Sequence, residues 1–200
     1  MLLPLERLLQ TAVMSLQTGA ELARVKHVLV DPRDLTVVAY ELEGHNLDQH
    51  PSFLRPIDAR ELSHLGFIVD SNEEFIGSDD VIRIQEVIGF GFDLIGLEVI
   101  DDHKRKLGKV VSFAIDSGSF SVQQLSVKRP LLKSFGETEL LINRAQIIEV
   151  SDTTVKVASL DSKEPATSPL QEFSNPFRQT SVQSEAIDFE SRWHSSNQAE

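Results

Sequence analysis

An internal repeat is the feature of this amino-acid sequence that most limits its fold, because two copies of one pattern are expected to form the same structure twice. Residues 21–42 align with residues 106–127 at a shift of 85 positions, and many of the matched side chains share their polarity. Examples are Val25 with Val110, Val30 with Ile115 and Asp31 with Asp116. The sequence therefore predicts two copies of one small fold.

Within each copy, apolar side chains alternate along β-branched runs, which is the period of a strand with one buried face. The alternating residues are Val28 and Val30, then Val38, Tyr40 and Leu42, in the first copy, and Val111, Phe113 and Ile115, then Leu125 and Val127, in the second. A turn joins the two runs of each copy. We expect Pro32 to preset φ in the first turn and Gly118 to take a positive φ in the second. Each copy is thus predicted to contain a β-hairpin.

Further short apolar runs add strands to the second copy. They are residues 139–142, 147–150 and 154–157. Several short antiparallel strands favour a small closed barrel, since closure removes exposed sheet edges. Continuing the repeat at the same shift places Ile57 on Ile142. Residues 85–95 have helical apolar spacing, although Gly89 and Gly91 weaken a helix by about 1 kcal/mol each, and we expect a short helix there.

Composition narrows the class of protein. The chain has no cysteine, a formal charge of −12 and an isoelectric point near 4.9. Disulfides and thiolate metal sites are excluded, and broad nucleic-acid binding is disfavoured because phosphate contacts need concentrated positive charge. Glu6 and Arg7 interrupt the apolar N-terminus, and no run of about 18 apolar residues follows. We expect a cytoplasmic protein with no signal peptide and no membrane insertion.

The C-terminal segment differs from the rest of the chain. From residue 160 onward, Ser, Gln, Glu and Pro dominate, with seven acidic residues, three basic residues and only scattered apolar ones. Such a segment cannot bury enough apolar surface to order itself. We therefore expect a disordered acidic tail over residues 160–200.

Residues 99–116, VIDDHKRKLGKVVSFAID, resemble the opening of a PRC-barrel domain. The pattern of that family is an apolar strand, an Asp-containing turn, Leu-Gly-basic-Val and a second strand ending in Asp. Residues 18–31, TGAELARVKHVLVD, resemble it too. The departures are Ala23, where Gly108 keeps the pattern, and Lys104, where Gly19 keeps it.

The resemblance implies a mainly β chain with two small PRC-barrel-like barrels and short helical connectors. The predicted divisions are residues 1–84, residues 85–159 and the tail. PRC-barrels occur in the H subunit of photosynthetic reaction centres, in RimM-type ribosome maturation factors and in many small prokaryotic proteins. Their shared theme is docking to another macromolecule. The family supplies no catalytic residue, and a fold alone does not define a function.

No pattern of side chains in the sequence predicts an enzyme or a cofactor site. His45 and His50 have a spacing that matches no metal motif, so we interpret them as loop residues. Gly89 and Gly91 begin a dinucleotide-binding pattern, but Leu94 replaces its last glycine. With no nucleophile motif and no cysteine, we expect a non-enzymatic protein with no cofactor and no metal.

Charge differs between the copies at one end of the predicted hairpins. In an antiparallel hairpin, the start of the first strand lies beside the end of the second strand. We name the cationic set there in the second copy the basic edge, and it comprises Lys104, Arg105, Lys106, Lys109, Lys128, Arg129 and Lys133. We name the matching set in the first copy the acidic edge, and it comprises Gly19, Ala20, Glu21, Arg24, Glu43, Gly44 and Asp48, with Glu41 nearby.

Three interpretations of the two edges stay open. The opposite charges meet, either between the two barrels or head to tail between chains, giving self-association. Alternatively, the basic edge binds an external anion, such as ribosomal RNA or an acidic protein. The third interpretation is an ordinary solvated rim, because charge runs commonly have no specific partner.

The tail contains the chain's one tryptophan. Ala186, Phe189 and Trp193 have the spacing of residues on one face of a helix. Aromatic side chains anchor disordered segments on their partners. Phe189 and Trp193, together with Phe173 and Phe177, are therefore the candidate partner contacts of the tail.

These features predict a non-enzymatic adaptor or scaffold that docks protein partners through its barrel faces and its tail. The alternative is a ribosome-assembly or RNA-processing factor similar to RimM-type proteins, with the basic edge on ribosomal RNA or a ribosomal protein. The adaptor is the first choice because this chain has a second copy in place of the N-terminal domain of those factors.

Overall fold

The computed structural model of the chain describes residues 1–45, 47–129 and 139–159. Its strands are β1 (Leu2–Pro4), β2 (Ala12–Ser15), β3 (Glu21–Asp31), β4 (Thr36–Glu43), β5 (Ser52–Leu54), β6 (Glu61–Ser63), β7 (Gly66–Val69), β8 (Ile76–Gly77), β9 (Glu98–Asp101), β10 (Lys106–Asp116), β11 (Val122–Lys128), β12 (Glu139–Asn143), β13 (Ile147–Val150) and β14 (Thr154–Val157). The α-helices are α1 (Leu5–Leu8) and α2 (Ile82–Phe90), and short 3₁₀ turns lie at Pro56–Asp58, Asn72–Glu74 and Arg144–Gln146.

The strands form two sheets, which confirms the predicted mainly β fold. The first sheet has the order β6-β7-β2-β3-β4-β5-β8. The second has the order β13-β14-β9-β10-β11-β12, with β1 added beside β10. In each sheet, β7 or β14, the second strand from one end, runs parallel to β2 or β9, and the remaining pairs are antiparallel. The repeat in the sequence is therefore a repeat of strand order.

The register of the strands refines the alignment of the copies. The predicted hairpins are β3–β4 and β10–β11, and the three predicted late strands are β12, β13 and β14. Tyr40 lies opposite Leu54, and its equivalent Leu125 lies opposite Ile142. The expected match of Ile57 with Ile142 is therefore wrong, because the chain between the second and third strands is three residues longer in the second copy.

Both hairpin turns use the same conformation, although their sequences differ. Leu35 and Phe120, not Gly118, take the positive φ, which is 54° at both residues. The Leu35 N–H donates to the Asp31 carbonyl and the Phe120 N–H donates to the Asp116 carbonyl, each at 2.8 Å. Closing the turn in this way requires its last residue to be left-handed, which explains why the expectation for Gly118 is wrong.

The two turns meet each other. The Val37 N–H donates to the Phe120 carbonyl and the Val122 N–H donates to the Leu35 carbonyl, both at 2.8 Å. These two bonds are equivalent under the repeat, so the contact is reciprocal, as at a two-fold dimer interface. Buried apolar side chains from both sheets form one continuous cluster. The two copies therefore share a core.

The segment that precedes each copy packs on the other copy. Ahead of the first copy, β1 pairs with β10 of the second sheet, with Leu3 beside Ile115. Ahead of the second copy, α2 packs against β3 and β4 of the first sheet. The helix expected in residues 85–95 is confirmed, but it begins at Ile82 and ends at Phe90, because Gly91 takes a left-handed φ of 59°. The predicted domain division after residue 84 falls inside this helix.

Candidate functional site

The hairpin register brings the centre of the basic edge together. Lys109 lies directly opposite Lys128, and both side chains are exposed. The same cross-strand row continues to Glu98 on one side and Glu139 on the other. These glutamates offset the repulsion between the lysines, since opposite charges in neighbouring strands attract. Sequence comparison missed them because they come from strands outside the hairpin, and the basic edge is less positive than predicted.

Two further members of the basic edge have carboxylate partners. Arg105 Nε donates to Oδ2 of buried Asp101 at 2.5 Å, and Lys106 Nζ lies 2.8 Å from Glu98 Oε1. Burial disfavours the ionised form of Asp101, but hydrogen bonds from the backbone and side chain of Arg105 outweigh it and lower the pKa of this carboxyl. Arg105 and Lys106 therefore stabilise the turn between β9 and β10.

The remaining cations divide into three cases. Lys104 takes a left-handed φ of 62°, matching the 68° of Gly19 at the equivalent position. Across the residues that the structure describes, the side chains of Lys104, Lys109 and Lys128 form no ion pair. Arg129 is half-buried, and Lys133 lies outside the described residues. Lys109 and Lys128 are thus the two basic-edge residues that the hairpin itself places side by side.

The acidic edge is largely paired within its own copy. Glu21 contacts Arg24 at 2.6 Å, Glu41 contacts Lys26 at 2.5 Å, and Glu43 accepts a hydrogen bond from Gln10 at 2.8 Å. Both edges lie at the hairpin ends far from the turns, whereas the turns are the ends that meet. The structure therefore does not bring the two edges together within the chain, and head-to-tail association stays a prediction.

The outer face of the first sheet is covered from within the chain. Leu29 and Ala39 lie opposite each other on β3 and β4, Phe53 lies opposite Glu41 on the same face of β5, and all three apolar residues are less than 9% exposed. Ile84 and Val87 of α2 complete this second buried cluster. Burial of this kind contributes about 25 cal/mol for each Å² of apolar surface removed from water. The helix and the outer face therefore stabilise each other.

The equivalent face of the second sheet lacks such a cover among the described residues. We name it the open face, and it comprises Ser112, Ala114, Gln124, Ser126 and Leu141. Leu141, the equivalent of Phe53, is 55% exposed. Val111 beside this face is 39% exposed, not buried as its place in the alternation predicts, because a bulge between Val110 and Ser112 shifts the register.

The sheet edge beside the open face is also unpaired. In the first copy, β5 pairs with β4 on one side and with β8 on the other, where Ser52 lies opposite Gly77. In the second copy, the equivalent strand β12 pairs with β11 and with no other strand of the described ranges. An unpaired edge offers backbone N–H and C=O groups to a further strand. Within the part of the chain that the structure describes, the second copy therefore presents an open face bordered by an unpaired edge.

An ionic network holds the cover of the first copy in place. Asp31 is 1% exposed and accepts from Arg33 Nη2 at 2.9 Å and from Arg83 Nε at 3.1 Å. Arg33 Nη1 also lies 3.0 Å from Glu86 Oε2, so α2 contributes both a cation and an anion. The hydrogen bond from Arg33 is the main cause that lowers the pKa of Asp31 to about 2. This network has no counterpart at Asp116, whose carboxylate accepts from Ser119 and from the amino group of Met1.

Other candidate sites are sparse. Within the described ranges, no group of three or more His, Asp or Glu side chains is placed to hold a metal ion. Likewise, no described helix is long and apolar enough to cross a membrane. The tail candidates Phe173, Phe177, Phe189 and Trp193 lie outside the described residues.

Comparisons with known proteins find structural likenesses but no family. No family model matches the chain, and no curated protein matches it. The crystal structure of a 16S ribosomal RNA processing protein, RimM from Pseudomonas aeruginosa, is similar over 78% of this chain and 79% of that one, with 17% identity and a TM-score of 0.27. A TM-score this low carries no argument about function, and the PRC-barrel resemblance stays a prediction.

Proposed function

We propose that this chain is a non-enzymatic adaptor whose second copy binds a polypeptide segment of a protein partner. The segment would lie on the open face and along the free edge of β12. One observation carries the proposal: the equivalent face and edge of the first copy are covered by α2 and β8, whereas those of the second copy have no cover among the described residues. Leu141, which is 55% exposed on the edge strand β12, is the main apolar contact.

The cover of the first copy indicates the chemistry of the partner. A short segment that pairs with β12 would gain main-chain hydrogen bonds, as β8 does on β5. Separate apolar side chains over Leu141 and over Val111 would add burial, as Ile84 and Val87 do on the first sheet. Lys109 and Lys128 at one end of the face favour a segment that carries acidic residues.

Purification from the source cells with native associates tests the proposal. Leu141→Glu places a charge on the edge strand of the open face, and Lys109→Glu with Lys128→Glu reverses the cations at its end. Ile57→Glu is the matched control, because Ile57 is a 79% exposed apolar residue of the first copy. We expect one defined protein partner with the wild type and the control, and its loss with both test variants. A partner retained by Leu141→Glu would contradict the proposal.

A second candidate function is binding of ribosomal RNA through the basic edge. The observation that favours it is the side-by-side placement of Lys109 and Lys128, two exposed cations without an ion pair in the described part of the chain. Phosphate contacts would make such binding fall steeply with salt. Ribosomal RNA in the same purification, kept by Leu141→Glu and lost on reversing the two lysines, would establish this function. Recovery of the chain alone as an oligomer would favour self-association.

A further inference from the structure

A cavity of about 310 Å³ lies where the two copies meet. Its walls come from both copies and from β1, and they include Leu3, Tyr40, Pro56, Phe67, Ser117 and Phe120. Sites for small molecules in proteins have volumes of about 300 Å³ or more, and apolar and aromatic side chains form most of their lining around a few polar groups. An apolar cavity of about 150 Å³ already holds benzene. This cavity is therefore large enough for a molecule with one ring.

Tyr40 brings a buried hydroxyl without a partner to the wall of this cavity. The residue is 1% exposed, and its ring packs on that of Phe67 with the centroids 4.8 Å apart. Among the residues that the structure describes, no group forms a hydrogen bond with the Tyr40 hydroxyl. Buried hydroxyls rarely lack a partner, because an unpaired one has lost its hydration and gained nothing in return. A ligand that bonds to Tyr40 would restore what burial removed.

The repeat shows that this part of the core can be filled without a hydroxyl. Leu125, the equivalent of Tyr40, is fully buried and has no polar side-chain atom. The parallel strand pairs place Val155 where the first copy has Phe67. The second copy thus has two aliphatic side chains at the positions where the first copy has two aromatic ones. The tyrosine hydroxyl is therefore specific to the copy that has the cavity.

The wall at Pro56 also differs between the copies. Pro56 and Arg144 are equivalent, since each begins the 3₁₀ turn that follows β5 or β12. Arg144 reaches from its own copy to the other, because its Nη1 donates to the Val122 carbonyl at 3.0 Å and its Nη2 donates to the Asp34 carbonyl at 2.5 Å. Pro56 is shorter than arginine and has no side-chain donor, and it borders the cavity. The first copy therefore has a binding space where the second copy has a side chain that joins the copies.

We propose that this cavity binds a small uncharged molecule with one ring and one hydrogen-bond acceptor, such as a carbonyl oxygen, which pairs with the Tyr40 hydroxyl. Burial raises the pKa of Tyr40, so the hydroxyl keeps its proton and donates it to the acceptor. The aromatic and aliphatic walls cover the ring of the ligand. The site is separate from the open face, so the inference does not depend on the adaptor proposal.

The charges around the cavity favour an uncharged ligand. Arg60 pairs with Asp70 through both Nε and Nη2, and the amino group of Met1 lies 3.0 Å from Asp116 Oδ1. These two cations of the wall are therefore already neutralised. Glu61 is exposed, so its carboxylate stays hydrated. A charged ligand would lose its own hydration on entry without gaining a buried counterion.

Titration of the purified full-length chain with two matched probes tests the inference. Acetophenone has one ring and a carbonyl acceptor, and α-methylstyrene has the same shape with a CH₂ group in place of the oxygen. Tyr40 is the one tyrosine of the chain, so ¹³C-labelled tyrosine gives the NMR signals of this residue alone. We expect acetophenone to cause saturable shifts of these signals and of the amide signals of Ser117 and Phe120.

Tyr40→Phe separates the hydrogen bond from the apolar contacts. Read from the amide signals of Ser117 and Phe120, this variant should raise the dissociation constant of acetophenone about fivefold to tenfold and change that of α-methylstyrene by less than about twofold. Pro56→Arg gives the cavity wall the residue of the second copy and should abolish the binding of both probes. Leu141→Glu, on the open face, is the matched control and should leave both dissociation constants unchanged.

Each of the remaining outcomes overturns the inference. Shifts that do not saturate, or that persist in Pro56→Arg, mean that the cavity is not a ligand site. An equal effect of Tyr40→Phe on both probes means that the hydroxyl does not bond to the ligand. A crystal structure of the protein with acetophenone that shows a water on the Tyr40 hydroxyl, and no probe beside it, means that water alone is its partner.

Discussion

The two copies in this chain share the order of their equivalent strands and their turn conformation, yet their outer faces are opposite in character. Leu35 and Phe120 have the same left-handed φ, and the bonds between the turns are reciprocal. In contrast, Phe53 is 2% exposed and its equivalent Leu141 is 55% exposed. The side chains that point inward pack together in one shared core, so the size of each one restricts the size of its neighbours in both copies. Outward positions are free to differ. Among the described residues, the outer face of the first copy is covered and that of the second copy is not.

The largest expected effect comes from truncating the two equivalent outer residues. Phe53→Ala should lower the free energy of unfolding by about 4 kcal/mol, since it leaves a cavity under α2. Leu141→Ala should change it by about 0.5 kcal/mol or less, because exposed positions contribute little. Urea unfolding of both variants measures the difference. Similar losses would mean that Leu141 is buried in solution and that the open face already has a cover.

Gly108 of the second copy stands where the first copy has Ala23. Exchanging the two residue types should change the free energy of unfolding somewhat less than Phe53→Ala does. A Cβ on Gly108 would lie 2.2 Å from the Lys128 carbonyl oxygen, so Gly108→Ala must displace β11 backbone. We expect a loss of about 3 kcal/mol in the free energy of unfolding. Ala23→Gly at the equivalent position should cost only about 1 kcal/mol, through backbone entropy. Thermal or urea unfolding of both variants distinguishes the two, and equal losses would contradict the proposed crowding at Gly108.

Acid should weaken the ionic network that anchors α2. Because the pKa of Asp31 is lowered from 3.8 to about 2, its ionised form stabilises the fold above about pH 4, and this contribution is lost as the pH falls towards 2. Asp31→Asn should cost about 2 kcal/mol at pH 7 and flatten the pH dependence of stability between pH 4 and 2. Unfolding measured across this range checks the effect. The exposed Asp152→Asn serves as control, and an unchanged acid profile in Asp31→Asn would refute the assignment.

The smallest expected change in stability comes from the turns that precede β3 and β10. Lys104 is held at a φ of 62°, where its counterpart is Gly19. Lys104→Gly should stabilise the protein by about 0.5 kcal/mol, because glycine adopts this conformation without a steric penalty. Gly19→Lys should destabilise it by a similar amount. Thermal unfolding of the two variants tests whether the turns are equivalent, and shifts of the same sign would show that they are not.

The central pair of the basic edge could be predicted from the local sequence pattern of one hairpin. Hairpin pairing alone predicted that Lys109 and Lys128 lie near each other, and the register places them directly opposite. The glutamates that flank them, Glu98 and Glu139, were not predicted, because they reach the row from separate strands. The open face was missed as well. A comparison of outward positions, such as Ala39 with Gln124, was the one signal that could have indicated it.

The sequence by itself determined the duplication, the mainly β class, the two hairpins and the three late strands of the second copy. The strands follow from apolar side chains that alternate every two residues, and the duplication follows from the match of the sequence with itself at a shift of 85 residues. Both can be seen in the sequence without knowing which distant segments meet. Tertiary structure alone decided that β1 crosses to the second sheet, that α2 covers the first, and that the turns join reciprocally. Such choices depend on which distant surfaces fit together, because the free energy of burial depends on the area that two surfaces exclude from water and not on their separation along the chain.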